Sequence, residues 1–232
     1  VDGVLIRFGD TLTEAANRAA LAFRAAIDRQ GLDGVAESTT ALTSVYLRLD
    51  PRLTDPAPLM DALHALLRAR DWFAADLPEG RRLWQVPAVF GTDLAPQLPE
   101  VAALAGLTID QAVAMICAAP LRVQTIGFAP GQPYLGELPP AFDIPRQTDL
   151  TPQVPEGALV VAIRQMVLFS VTTPTGWRHV GQTALRLFRP DLPDPFLLRP
   201  GDEVQFQPVA PDALAQLRAD ANGGARLAGV VQ

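Results

Sequence analysis

Apolar residues recur along the chain with two different periods, and the change from one to the other divides it into two halves. Residues 4–8 form a short apolar run that predicts a β-strand. Residues 11–29 are rich in alanine and place Leu12, Ala16, Ala19, Ala20, Phe23 and Ile27 at helical spacing, and Gly31 closes that helix. Over 41–49, Leu42, Val45, Leu47 and Leu49 alternate with Thr43, Ser44, Tyr46 and Arg48, which predicts a strand ending in the Asp50-Pro51 turn. Leu59, Leu63, Leu66 and Leu67 make a second helical stripe running up to Trp72. A strand around 83–86 is expected to complete a small ferredoxin-like layer of helices on a sheet.

Residues 87–99 mix Pro, Gly, Asp and Gln without a period and read as a connection over the surface. Thr108 and Gln111 then have the spacing of a capping box, opening a helix expected to run to about Ala119, where Pro120 stops it. From 121 onward the texture changes to short apolar runs between Gly/Pro turns, at 123–126, 159–163, 167–171, 184–188 and 204–206, the spacing of a β-barrel or sandwich. Pro200-Gly201-Asp202 is a turn delivering Val204 and Phe206 to the core, and 210–219 reads as a short closing helix. The expected class is α+β, with a ferredoxin-like α/β domain over 1–88 and a linker helix plus β-barrel over 89–232.

Composition narrows the chemistry. The 232 residues carry 25 acidic and 19 basic side chains, and every basic residue is an arginine. The absence of lysine removes the P-loop lysine, Schiff-base chemistry and Ser-Lys amidase chemistry together. Two histidines, His64 and His179, and one cysteine, Cys117, are too few for a His/Cys zinc site or a disulfide framework, so no metal is expected on this chain. The acidic balance and the singly scattered arginines, Arg81-Arg82 being the only adjacent pair, argue against nucleic acid. The longest apolar run, 112–121, contains Pro120 and falls short of a membrane span, and no targeting pattern opens the sequence, so a cytoplasmic protein without membrane contact is expected.

Three Gly/Pro-rich segments hold the candidate chemistry. The first is 127–136, with Gly127, Phe128, Pro130, Gly131, Pro133 and Tyr134, readable on composition either as a rigid barrel connection or as a binding loop. In the second, Pro145-Arg146, the guanidinium can clamp a carboxylate or phosphate bidentately, or lie solvated beside a turn. In the third, Gly176-Trp177 and Gln182-Thr183 flank a short strand on which Trp177 and His179 share a face. Trp177 reads as core or as a ligand stack, and His179 as a structural or an acid/base histidine. His64 reads as a boundary residue, Cys117 as a small buried hydrophobe, and the adjacent Asp202 and Glu203 as solvating a turn rather than as an acid/base pair.

The order of these motifs resembles the KipI family, known as the 5-oxoprolinase B subunits (PxpB) and in older naming as allophanate hydrolase subunit 1. The resemblance rests on the 127–136 loop, Ile144-Pro-Arg146, Val154-Pro-Glu-Gly157, Gly176-Trp177 with Gly181-Gln-Thr183, and Leu198-Arg-Pro-Gly-Asp202 followed by Val204-Gln-Phe206. Glu37, Ser44 and Asp50 look like the family's first domain. The resemblance implies a ferredoxin-like domain followed by a cyclophilin-like β-barrel. It also implies a chain that works with a larger C-type, or KipA-like, partner and with a LamB-type third component (the A-type protein) in the ATP-dependent opening of 5-oxo-L-proline to L-glutamate. The resemblance further implies ATP, bound by this chain or by a partner, and a chain that is not active alone. Two alternatives within the family are an inhibitor of a sensor histidine kinase and half of a urea carboxylase-type carboxyltransferase pair. Carried onto this sequence, the catalytic candidates are Arg146, Tyr134 and His179. The substrate or partner contacts are Gly127, Phe128, Pro130, Gly131, Pro133, Pro145, Gly176, Trp177, Gln182 and Thr183.

The sequence departs from the family's pattern where polar groups are concerned. A family histidine is matched by Cys117, a second Pro-Arg by Pro152-Gln153, a Gly-Gly-Trp by Thr175-Gly176-Trp177, and a Gly-Arg-Thr-Pro by Gly181-Gln182-Thr183-Ala184. The glycine-rich stretch between the domains is reduced to Gly91-Thr92-Asp93-Leu94. Glycines, prolines and core apolars survive better than the anion-binding set, so the fold is kept while the ancestral substrate is the more changeable property.

Overall fold

The computed structural model describes residues 2–52, 55–118 and 120–231, and the chain divides into two compact units at Glu79/Gly80. The first unit runs β1 (Gly3–Arg7), α1 (Glu14–Gln30), β2 (Val35–Ala41), β3 (Ser44–Leu49) and α2 (Ala57–Arg68), its antiparallel sheet ordered β1-β3-β2. Thr13 starts α1 by accepting the Ala16 N–H at 3.2 Å, and Gly31 ends it at φ +60° while donating to the Ile27 carbonyl. On β3 the alternation works as read: Val45, Leu47 and Leu49 are buried, Tyr46 and Arg48 exposed. Phe23 and Trp72 meet edge to face at 4.9 Å in this core, and the indole N–H of Trp72 is shared between the Leu66 and Leu67 carbonyls.

Two sequence expectations fail in this unit. The strand expected over 41–49 straddles a hairpin turn at Leu42-Thr43, with Leu42 at φ +49°. Its first arm, β2, buries only Thr40 and so carries no apolar period to find. The strand around 83–86, expected to complete the layer, instead belongs to β4 (Arg81–Phe90) of the second unit, leaving a three-stranded βαββα unit. Trp84, Val86, Ala88 and Val89 are all buried, a pattern that suits a strand paired along both edges. The expected division at residue 88 therefore falls inside this strand.

The second unit continues with α3 (Leu98–Leu104), α4 (Ile109–Cys117), β5 (Leu121–Ile126), β6 (Pro133–Gly136), a 3-10 turn (Pro140–Phe142), β7 (Thr151–Val154), β8 (Ala158–Ala162), β9 (Gln165–Leu168), β10 (Thr173–Thr175), β11 (Arg178–Thr183), β12 (Glu203–Pro208), α5 (Ala213–Leu217) and β13 (Arg226–Val231). Strands follow one another as β4-β12-β5-β6-β9-β8-β11, and β11 pairs back onto β4 through Gly181↔Phe90, Gln182↔Val89 and Thr183↔Ala88. This closes a seven-strand barrel and removes its edges. β13 lies along the first half of β4, while β7 and β10 form a separate ribbon. The barrel core gathers Val86, Phe142, Leu159, Met166, Val204 and Phe206.

The capping box is formed: Thr108 Oγ1 accepts the Gln111 N–H and Gln111 Oε1 accepts the Thr108 N–H. The expected end of this helix at Ala119 lies outside the described residues. Residues 87–99, expected as a surface connection, are not one. Residues 87–90 complete β4, and Ala95 and Leu98 are fully buried where the chain turns into α3. The strand expected at 184–188 is also absent. Thr183 Oγ1 accepts the Leu185 N–H, ending the β11 ladder, so Leu185 and Leu187 reach the core from an irregular segment. Asp202 and Glu203, expected to solvate their turn, are paired across β4 and β12: Arg82 to Asp202, Arg81 to Glu203 at 2.7 Å. Among the described residues no single helix is long and apolar enough to cross a membrane.

Candidate functional site

A cavity of about 290 Å³ opens on one side of the barrel unit. β6 supplies Tyr134 and β9 supplies Val167, cross-strand partners whose register aims both at the same face. β10 and the residues leading into β11 supply Thr175, Gly176 and Trp177, and the segment between the 3-10 turn and β7 supplies Arg146 and Gln147. Beneath it, Val154, Val160, Val167, Phe169 and Trp177 form a small core of their own, so the wall is rigid.

Three groups define the chemistry of this wall. Tyr134 and Trp177 pack edge to face with ring centroids 6.2 Å apart. The guanidinium of Arg146 lies 5.0 Å from the Trp177 ring centroid, and among the described residues no carboxylate pairs with it. A cation held over an indole with its hydrogen-bonding edge unsatisfied is suited to a carboxylate or phosphate ligand. Phe128 stands at the rim, 73% exposed and at φ +71°, a left-handed backbone conformation that bulky residues seldom adopt.

A glycine and two amides hold Arg146 in place. The Gln147 N–H donates to the Gly176 carbonyl at 2.7 Å, and a Cβ on Gly176 would stand 3.1 Å from the Gln147 carbonyl oxygen, closer than an ordinary side-chain contact. Gln97, just before α3, pairs with His179 through two bonds: its own N–H donates to the His179 carbonyl, and its Oε1 accepts the His179 N–H at 2.8 Å. That backbone donor settles which end of the Gln97 amide is oxygen, so its Nε2 donates to Gln147 Oε1 at 2.7 Å. Gln147 Nε2 in turn faces the Trp177 carbonyl and Thr151 Oγ1, each at 3.3 Å.

Of the residues singled out in the sequence, Phe128, Tyr134, Arg146, Gly176 and Trp177 come together at this cavity. Gly127, Pro130 and Gly131 shape the hairpin that presents Phe128. Gly127 donates to the Gln132 carbonyl, and Gly131, at φ +73°, passes so close to Leu187 that a Cβ would lie 2.9 Å from its carbonyl oxygen. Pro133 begins β6, and the Pro145 carbonyl accepts from Arg178, whose guanidinium also reaches Glu100. His179 does not line the cavity. It is buried, with Nε2 3.0 Å from the Gly181 carbonyl, and burial pulls its pKa below 6.5 although bonds to Gly181 and Gln182 oppose this. Gln182 and Thr183 lie away from the cavity, bonding to the Glu156 and Gly157 carbonyls. Cys117 is half-buried and its thiol is pushed up to about 11 by burial, so it is no nucleophile at neutral pH.

Sequence reasoning missed Gln97, Gln132 and Gln147. A glutamine has no period and no motif of its own, and the signals available were the position of Gln132 inside the first Gly/Pro loop and of Gln147 directly after Arg146 in the second. Among the described residues, no group of three or more His, Cys, Asp or Glu side chains is placed to hold a metal ion.

Residues 1–198 match the family model described as carboxyltransferase domain, subdomain C and D. The chain is 32% identical over 214 residues to the 5-oxoprolinase B subunit of Bacillus subtilis (strain 168), covering 88% of each. It is 38% identical over 157 residues to the protein of the same name from Escherichia coli O157:H7, covering 67% of this chain and 72% of that one. Among solved structures, TTHA0988 superposes with a TM-score of 0.75 at 33% identity, covering 90% of this chain and 40% of that longer one.

Proposed function

The chain belongs to the family of 5-oxoprolinase B subunits built on carboxyltransferase subdomains C and D, and from that premise we propose that it is the B-type component of an ATP-dependent complex that opens 5-oxo-L-proline to L-glutamate. The observation that carries this reading is Arg146, a cation held over Trp177 inside a small cavity and, among the described residues, without an acidic partner. It offers a carboxylate a bidentate, charge-assisted site, and a small planar lactam fits beside the indole and Tyr134.

Within this reading Arg146 binds and orients the substrate carboxylate. Trp177 holds the guanidinium in place, and Gln147, itself held by Gln97, fixes the segment that carries Arg146. Burial of the aromatic wall excludes water from one side of the ring, which strengthens the ionic contact. A triphosphate does not fit the residues present: one arginine, no lysine and no glycine-rich loop opening a helix face the cavity. We therefore assign ATP to another chain of the complex, a C-type or KipA-like partner acting with a LamB-type A component, and the isolated chain is inactive.

The test is coexpression with the neighbouring C-type homologue, and the LamB-type component where present, followed by ATP-dependent release of glutamate from 5-oxo-L-proline. Turnover that disappears in Arg146→Ala while the complex stays assembled supports the reading. ATP-dependent turnover by the purified chain alone, or turnover indifferent to Arg146→Ala, refutes it. A tight complex without turnover keeps the pairing and moves the substrate to another small amide.

A further inference from the structure

Gln132 sits in the cavity wall yet is only 2% exposed, a buried carboxamide in the middle of the 127–136 loop. Its Oε1 accepts the backbone N–H of Ser170 at 3.3 Å. A backbone N–H can only donate, so the oxygen must be on that side and the NH2 group on the other. Among the described residues nothing accepts from this Nε2. An amide donor on a side chain only 2% exposed, oriented by the backbone, without a protein acceptor among the described residues and open to a cavity, is a group whose partner is the cavity's occupant.

The second donor in the same wall is Arg146, also without an acidic partner among the described residues. The other wall amide, Gln147, has its oxygen taken by Gln97 Nε2 and its nitrogen turned to the Trp177 carbonyl and Thr151. Neither carboxamide therefore offers the cavity a free oxygen, while Gln132 and Arg146 both offer nitrogen donors. The position beside Gln132 favours an acceptor and penalises a donor, because a ligand N–H placed against Gln132 Nε2 leaves two donors face to face.

We propose that Gln132 is a specificity-determining ligand contact, donating from Nε2 to a carbonyl or carboxylate oxygen of a small anionic ligand whose charge Arg146 balances. This rests on the reading of the cavity as the ligand site and deepens it: the ligand class is a small carboxylate rich in acceptors, a description that 5-oxo-L-proline meets through its carboxylate and lactam carbonyl.

The experiment is titration of the full chain, with nitrogen-15 in its glutamine side chains, by 5-oxo-L-proline and separately by acetate. The Gln132 side-chain amide signal is expected to move along the binding curve. Gln132→Met is expected to weaken the same probe about tenfold, and Gln132→Glu, which replaces the donor by an anionic acceptor, by about a hundredfold. Thermal unfolding of both variants shows whether they fold, and the wild-type signal carries the test if they do not. Movement with acetate but not with 5-oxo-L-proline removes the lactam from the proposed function and leaves Gln132 as an acceptor-binding contact. Binding of either probe with the Gln132 signal unmoved, affinity indifferent to both substitutions in folded protein, or no binding of either probe to the wild-type chain overturns the proposal.

Discussion

Arg82 grips Asp202 with both ends of its guanidinium, Nη2 to Oδ2 at 2.5 Å and Nε to Oδ1 at 3.2 Å, across the parallel pairing of β4 and β12. Asp202 is 3% exposed, and its carboxylate also accepts the N–H groups of Arg82 at 3.1 Å and Arg199 at 2.9 Å. The charge is buried but satisfied on every side, and it ties the turn before β12 to the strand that closes the barrel. Arg82→Ala leaves that carboxylate without its cation, and the expected loss is about 3–5 kcal/mol of folding stability. Chemical denaturation measures it, and a loss under about 1 kcal/mol would show the pair to be no more than a surface contact.

The stacked arginine makes a contrasting prediction. Arg146 is exposed and its guanidinium rests on Trp177 alone among the described residues, so Arg146→Ala leaves the unfolding midpoint near that of the wild type. Carboxylate affinity falls by about 1.5–3 kcal/mol, a charge-assisted hydrogen bond's worth. Calorimetric titration beside a thermal melt reads both. A large fall in stability with unchanged affinity would make Arg146 a structural residue.

Burial holds the His179 imidazole neutral, with a folded pKa below 6.5. The unfolded chain takes up its proton first as pH falls, so this histidine's contribution to stability is complete above pH 6.5 and is lost progressively below it, down to the folded pKa. His179→Gln should flatten that part of the stability profile. Proton NMR titration of the wild type reports the pKa directly, and a value at or above 6.5 would contradict so buried an environment.

Ile163 and Arg164 form the two-residue turn between β8 and β9 with φ of +46° and +60°. A β-branched residue pays a steric cost in that conformation, and Ile163, 48% exposed, offsets little of it by burial. Ile163→Asn retains the N–H that donates to the Ile144 carbonyl and relieves the crowding. The expected gain is about 1 kcal/mol, or roughly 2–4 °C in Tm. An unchanged or lower Tm would mean that the isoleucine side chain compensates through its packing.

Much of both units was legible along the chain because the responsible forces are local. The box at Thr108 and Gln111, the glycine closing α1 and the alternation of β3 each act within a few residues, and all took the expected form, whereas the cap at Thr13, which starts α1 at Glu14 rather than at residue 11, was not read in advance. The fates of 83–99 and 184–188 were not legible. Whether an apolar run becomes a central strand, an edge or an irregular core segment depends on partners distant in sequence: β4 is made by β12, β13 and β11, and 184–188 is left out because the β11 ladder ends at Thr183.

The site divides along the same line. Residue types left two readings open, rigid connections or a binding site, and the family resemblance rather than composition favoured the second; five of those residues do meet at one cavity. Which polar groups face the cavity was decided only in three dimensions. Gln132 turns its Nε2 away from Ser170, 38 residues distant in sequence, because the Ser170 N–H takes its oxygen. Gln147 is turned in the same way by Gln97, 50 residues away, whose own amide is set by the backbone of His179. The chain by itself determined the kinds of side chain and the local turns that carry them. The tertiary structure decided their direction, because an amide's polarity is set by whichever backbone donor lies beside it, and that neighbour is chosen by strand pairing rather than by sequence proximity.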